Sequence, residues 1–576
     1  MFLFTLLFQF MQLHQPVDTL KTPYEKGNGN QTCTYEECID WYKQLDQQFD
    51  DVQLQAHGTT SVGKPIHLLV IDKRKRFNPE STRSAKQAIM LINNGIHPGE
   101  PDGIDASMML VRDLLTDEKY ASLLEHTVLL VIPSYNISGM LNRGLHSRVN
   151  QKGPEEYGFR GNRQNLDLNR DFIKCDSKEA ETFNKIFAAW QPQMFVDTHV
   201  SNGADYQYTM THIQTHPDKL HPTLAKYQLE RYVPELEKRM TQAGWEMIPY
   251  VNTKTEIPDD GIVAFLETGR YSTGYTALHH SIGSMPETHM LKPYAERVQS
   301  TYQYLLQTLM IVAEDHTALV ENQEKAFAES MQQSKWNIRW QLDESKVDTL
   351  RFKGYEAAYK PSNVTGEKRL YYDRTKPFEK DIPYYNSYNP ILSITKPKAY
   401  IVPQSYPRVI ELLEANGVEY ECLESDTTMD VEYYMLEPQA APTRLFESRH
   451  PHQGVGAQAK RAKVQFYKGD AIIRTGQRND RYIVETLEPQ SHDSFFTWGF
   501  FDGVLSRKEY YSDYVFEDLA AQLLKDDATL KQKFEEKKKS DPEFAKNAAA
   551  QIDFIYRNSP YFEPTYLQYP VMRLVK

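Results

Sequence analysis

The chain is poor in cysteine, with four residues in 576. That excludes a disulfide scaffold, and none of the four has zinc-ribbon spacing. Only Cys33 and Cys38 lie close enough in sequence for a small-loop disulfide in an oxidising compartment. Long apolar runs are missing too. The segment Met1 to Met11 is apolar but far short of the roughly twenty residues that span a bilayer, so no stable membrane span is expected. It has the character of a signal-peptide core, without the basic flank or small-residue cleavage site. Export is the expectation, with a cytoplasmic location as the alternative. No basic stripe with interleaved aromatics occurs, and the net charge is −12, which argues against a nucleic-acid partner. Phosphate-cradling and dinucleotide-binding glycine loops are absent, as are internal repeats and long low-complexity tracts.

What is present is chemistry at the ends of apolar strands. Ala88-Ile89-Met90-Leu91-Ile92 reads as a buried strand. Asn93-Asn94-Gly95-Ile96-His97-Pro98-Gly99-Glu100 follows, and a helical pattern begins near Asp105. A His and a Glu three apart can reach one metal ion. Zinc hydrolases commonly use two His and one Glu and leave a fourth position for water. The pair falls on a loop at the carboxyl end of a strand, where open α/β sheets put their ligands. Met194-Phe195-Val196-Asp197-Thr198-His199 is a second apolar strand ending in a His, which supplies the third candidate ligand. Between them lies Arg160-Gly161-Asn162-Arg163-Gln164-Asn165-Leu166-Asp167-Leu168-Asn169-Arg170, and Met285-Pro286-Glu287-Thr288-His289 comes later.

In this order the elements resemble the zinc carboxypeptidases of the carboxypeptidase A type, the funnelin metallocarboxypeptidases. The resemblance covers roughly residues 40 to 315. It implies an α/β fold: a mixed twisted sheet of eight strands with helices on both faces. It also implies one Zn²⁺ per chain, held by His97, Glu100 and His199, with Asp167 orienting His97. Glu287 is the implied general base, just before a helix running through Tyr302 and Leu309. Asn169 and Arg170 match the pair that holds the substrate's free carboxylate. A guanidinium fork suits a carboxylate because it binds bidentately and keeps its charge. Arg160 is the implied Arg at the scissile carbonyl, with Arg163 as rival. Asn165 stands where relatives have Gly, and Asn tolerates a left-handed backbone. A mobile tyrosine, Tyr271 or Tyr275, is implied to close over the substrate.

The expected function is hydrolysis of the C-terminal peptide bond of peptides or proteins. The alternatives are a zinc-dependent amidase or deacylase of the same superfamily, for example on cell-wall peptides, and an inactive binding module. The expected organisation is a lead-in or signal segment over 1–34, a catalytic domain over 35–340 and an accessory domain over 345–576. The catalytic part should end in a helical stretch from Ala318 to Trp340. The last part reads as a smaller α+β domain rich in Tyr and Pro, with no catalytic constellation. Some larger bacterial members of the family carry a comparable extension. The loop histidines His450 and His452 are weak metal candidates.

Overall fold

The computed structural model describes residues 20–438 and 442–575. The apolar N-terminal run read as a signal core therefore lies outside the described residues. Among the described residues, ten strands precede residue 290: β1 (Val52–His57), β2 (Ile66–Ile71), β3 (Ala88–Asn93), β4 (Thr127–Ile132), β5 (Met194–Asp197), β6 (His199–Ser201), β7 (Met210–Gln214), β8 (Met247–Pro249), β9 (Ile262–Val263) and β10 (Ile282–His289). All but β9 form one sheet in the order β1-β2-β4-β3-β5-β10-β7-β8, with β6 also on β10. β5 and β6 are one strand interrupted at Thr198, so the nine segments fill the eight positions expected. The sheet is mixed. β3 runs parallel to β4 and β5, and β10 parallel to β5 and β6, while β7 returns antiparallel to β10.

β3 and β4 are buried at every position, as continuous Ile/Leu/Val runs should be when both sheet faces are covered. On one face lie the helices Tyr35–Gln48, Asp102–Thr116 and Tyr294–Glu314. Gly103 lets the second of these approach the sheet, since a Cβ there would stand 1.9 Å from Thr198 Oγ1. Arg297 pins this face. It is fully buried, pairs with Asp102 at 3.0 Å and donates to the carbonyls of Lys152, Gly153 and Lys292. Removing it would leave a buried carboxylate unpaired, at a cost of about 3–5 kcal/mol.

The other face carries Lys178–Trp190 and Ser272–Leu278, and its apolar cluster does not stop there. It continues from Leu91, Phe183 and Trp190 through Tyr400, Leu412 and Tyr482 to Trp498 and Val571. Residues of the C-terminal region thus complete the core of this face. That region holds a six-stranded sheet and a long hairpin, Asp348–Pro361 with Lys368–Tyr385, which pairs with β9. Helices between Asp513 and Arg557 form a separate cluster.

Three local expectations differ from what is observed. The helix ends at Gln332, and Lys335–Leu342 is a strand. Trp336, Ile338 and Trp340 alternate inward at the strand period of two, not the helical period. Cys33 and Cys38 are free thiols inside the core, with Cys33 Sγ 3.9 Å from Met108 Sδ. Glu287 lies within β10, and the following helix starts only at Tyr294.

Candidate metal centre and active site

β3 and β5 are adjacent and parallel, with Asn93 opposite Asp197, so the loops that leave them meet. His97 and Glu100 come from the first loop and His199 from the second. One ligand atom from each lies within 4.8 Å of the other two. His97 Nε2 bonds Asp167 Oδ1 at 2.8 Å. A carboxylate only accepts, so this nitrogen carries the proton and Nδ1 is left with its lone pair. His97 Nδ1 is buried and has no partner among the described residues, and it stands 3.4 Å from Glu100 Oε1. His199 repeats the pattern: Nε2 bonds Asp197 Oδ2 at 3.0 Å and Nδ1 faces Glu100 Oε2 at 3.2 Å. Burial alone would push the Glu100 carboxyl up, but Arg148, His97 and His199 hold it well below the usual carboxylate range. Two aimed imidazole nitrogens, one of them orphaned, and an ionised carboxylate fit a zinc ion.

Register brings Glu287 to the same place, because it sits opposite His199 on the paired strands β6 and β10. Its carboxyl is pushed up to about 8, first by burial, with Glu100 and Glu267 adding and His199 and Arg160 opposing. A cavity of about 630 Å³ opens over these groups. Its walls include His97, Glu100, His199, Glu287, Arg160, Asn169, Arg170 and Tyr271. Arg160 donates to Asp167 Oδ2 at 2.9 Å and to Glu100 Oε1 at 3.3 Å. Asn169 accepts the Ser272 N–H at 3.0 Å, and the Arg170 guanidinium lies over the Tyr271 ring, 4.5 Å from its centroid.

Residues 38–239 match the family model described as zinc carboxypeptidase. The chain carries a zinc carboxypeptidase domain. It is similar to carboxypeptidase 2 of Trichophyton rubrum, 22% identical over 444 residues covering 72% of this chain and 74% of that protein. It is also similar to carboxypeptidase 2 of Trichophyton tonsurans, 23% identical over 439 residues covering 71% and 73%. Among solved structures, the carboxypeptidase A of Helicoverpa armigera aligns with a TM-score of 0.38 at 14% identity, covering 49% of this chain and 74% of that one.

Within the zinc carboxypeptidase domain, two of the open alternatives now have different surroundings. Tyr275 is fully buried, stacked on Phe172, and donates to Asn416 Oδ1 at 2.6 Å. A hydroxyl held in the core cannot swing over a substrate, so the expected role for Tyr275 is corrected. Tyr271 is the one on the cavity wall. Arg163 points to solvent and Arg160 to the cavity. Asn165 does adopt the left-handed conformation, with φ 60°. His452 belongs to no group of three metal-ligating side chains among the described residues; its ring bonds Asp502 at 2.7 Å and stacks on Phe496.

Three residues of the site have no role in the sequence reading. Asp197 was visible only as strand context, yet alternation puts it on the same side as His199, two residues on. Arg148 pairs with Glu100 at 2.7 Å and belongs to no motif. Glu267 lines the cavity with one oxygen on the Thr273 hydroxyl, from a loop without periodicity.

Proposed function

We propose that the protein is a zinc-dependent carboxypeptidase that removes C-terminal residues from peptides and proteins. One observation carries the reading. A single cavity is lined at once by the His97, Glu100 and His199 trio, by the buried Glu287 and by Arg170. Metal hydrolysis and carboxylate recognition share that space.

His97, Glu100 and His199 hold the ion. Zinc, when bound, polarises the scissile carbonyl and acidifies a water. Glu287 takes the proton of the attacking water and returns it to the leaving amine. Its raised proton affinity suits the taking of that proton, because a strongly acidic carboxyl would be too weak a base. Arg160, steered by Asp167, stabilises the negative charge that develops on the carbonyl oxygen. Asn169 and Arg170 hold the α-carboxylate, and Tyr271 covers the last side chain. No helix among the described residues is long and apolar enough to cross a membrane. Export is part of the proposal and rests on the apolar N-terminal run; N-terminal sequencing of the mature chain tests it.

The deciding experiment crosses Arg170→Ala with amidation of the peptide's C-terminus. A charge-assisted bond contributes roughly 1.5–3 kcal/mol, or about 10- to 150-fold in kcat/KM. Each change alone should cost that much, and amidation should cost little more once Arg170 is gone. Additive losses would remove the carboxylate anchor and turn the reading to an amidase or deacylase.

A further inference from the structure

The C-terminal region reaches the metal centre through one side chain. Phe446 and Arg449 exchange backbone hydrogen bonds at 2.8 and 3.1 Å, so Glu447 and Ser448 are the two central residues of a tight hairpin. Both have positive φ, 49° and 65°. Two-residue turns with positive φ at both centres favour Asn-Gly or Asp-Gly, because a Cβ is disfavoured there. Glu-Ser is a poor choice for this backbone. Strain of that kind persists where the surroundings over-determine it, and often where the residue serves a site.

The Glu447 side chain shows what it serves. Its Oε2 accepts the backbone N–H of Asp167 at 2.8 Å, across 280 residues of sequence. Asp167 is the hub of the first half of the site. One carboxylate oxygen holds His97 Nε2 at 2.8 Å, and the other holds Arg160 Nε at 2.9 Å. The hairpin itself is anchored on both sides. Arg449 grips Asp176 with two bonds, of 2.8 and 2.6 Å, and donates to the Trp498 carbonyl at 2.6 Å. Phe446 stacks against Trp498. The Arg270 guanidinium lies over Trp498, 4.6 Å from the ring centroid, and bonds Asp493 at 2.7 Å. Asp493 also accepts the Arg270 backbone N–H at 3.0 Å, immediately before Tyr271. The two loops that carry Arg160, Asn169, Arg170 and Tyr271 are therefore held from behind by one platform of the C-terminal region.

We propose that this hairpin is part of the active-site framework and that Glu447 is a positioning residue, holding Asp167 so that its carboxylate aims His97 and Arg160. The proposal rests on the zinc carboxypeptidase reading and assigns the C-terminal region a task within it. The hairpin gives an unusually clean test, because the residues that suit the turn better are those that cannot make the contact. Glu447→Asn improves the backbone fit and shortens the side chain out of reach. Glu447→Gln keeps length and an accepting oxygen and loses only the charge.

The test uses the full chain and three readouts: zinc affinity by chelator competition, thermal unfolding of the metal-free protein, and kcat and KM on a peptide. Outer partners of a metal ligand typically change affinity by about 10- to 100-fold. Glu447 acts one step further out, so about tenfold weaker zinc binding is expected for Glu447→Asn, near the low end of that range. The fall in rate should lie in kcat, with the metal-free unfolding temperature unchanged or raised. Glu447→Gln should recover most of the zinc affinity. Wild-type zinc binding and kcat in Glu447→Asn would overturn the proposal. So would equal losses in both variants together with a lower metal-free unfolding temperature, which is what a purely structural role predicts. If instead the wild-type chain binds zinc and cleaves no peptide, the peptidase reading fails, while the zinc comparison still decides the role of Glu447.

Discussion

Replacing Asp197 with Asn keeps the shape of the side chain and removes its charge, directly behind the proposed zinc ligand His199. The Asp197 carboxylate has two tasks. One oxygen accepts the His199 Nε2–H at 3.0 Å and the other accepts the Asn93 Nδ2–H at 2.9 Å. A carboxylate in that position fixes the imidazole's orientation and raises its basicity, and its loss typically costs about 10- to 100-fold in metal affinity. At about 1.4 kcal/mol per decade that is roughly 1.4–2.8 kcal/mol. Asp197 is wholly buried, so no solvent screens the interaction. The upper half of the range is expected, about 30- to 100-fold weaker binding. Asp197→Ala should differ in kind. It leaves the Asn93 amide and the His199 ring without an acceptor, at about 1–3 kcal/mol per orphaned buried group, and that cost falls on the metal-free fold. Both variants should weaken zinc binding in a chelator competition. Only the Ala variant should lower the unfolding temperature of the chelator-treated protein sharply. An Asn variant with the wild-type zinc affinity would refute the argument that Asp197 sets the His199 ligand.

Glu287→Gln should keep its zinc and lose about 10²–10⁴ in kcat, the usual size of general-base removal; wild-type turnover would send the search to another carboxylate. Stripping zinc should abolish peptide hydrolysis and destabilise the fold, by about 4 kcal/mol relative to protein held at a thousand times its zinc Kd; scanning calorimetry with and without chelator reads this. Asp105 supplies a pH effect outside the site. Burial pushes its carboxyl up to about 7, and it accepts the Tyr294 hydroxyl. A raised folded value means the native state holds the proton more tightly, so this contribution is complete below the unfolded value near 4 and is lost as pH rises to about 7. The three-unit gap bounds the effect at about 4 kcal/mol. Asp105→Asn should flatten that decline between pH 4 and 7, and unfolding curves of the two proteins across that range that stay parallel would refute it.

The candidate metal trio was legible as a cluster because its signals are local. An unbroken apolar run ending in Gly, Pro and a His marks a strand-end loop whatever lies beyond it, and parallel neighbours bring two such ends together. Asp197 was hidden in plain view, since a polar residue near the end of a strand carries no mark of facing a ligand two positions on. Tyr275 misled for the opposite reason. Its Gly-bearing loop looks mobile in sequence; its burial, the Phe172 ring and the partner Asn416, 141 residues away, show that it is core. The Trp336 to Trp340 strand was absorbed into the preceding helix because both patterns share Trp336 and Trp340, and a two-residue break at Gln333 and Ser334 gives no glycine or proline signal. Glu447 had no signal at all, because nothing within its own turn predicts a contact with Asp167.

The short strand Met572–Leu574 lies inside the six-stranded sheet, between Ala399–Val402 and Thr427–Leu436. Leu567, Tyr569 and Val571, just ahead of it, belong to the apolar cluster that backs Phe183 and Trp190. Chains emerge from the ribosome amino end first and fold as their units complete. In this protein His97, Glu100 and His199 are made long before Met572–Leu574, the strand that completes the six-stranded sheet. Truncation ahead of that strand should therefore loosen the apolar core behind this face while leaving every candidate zinc ligand in the chain.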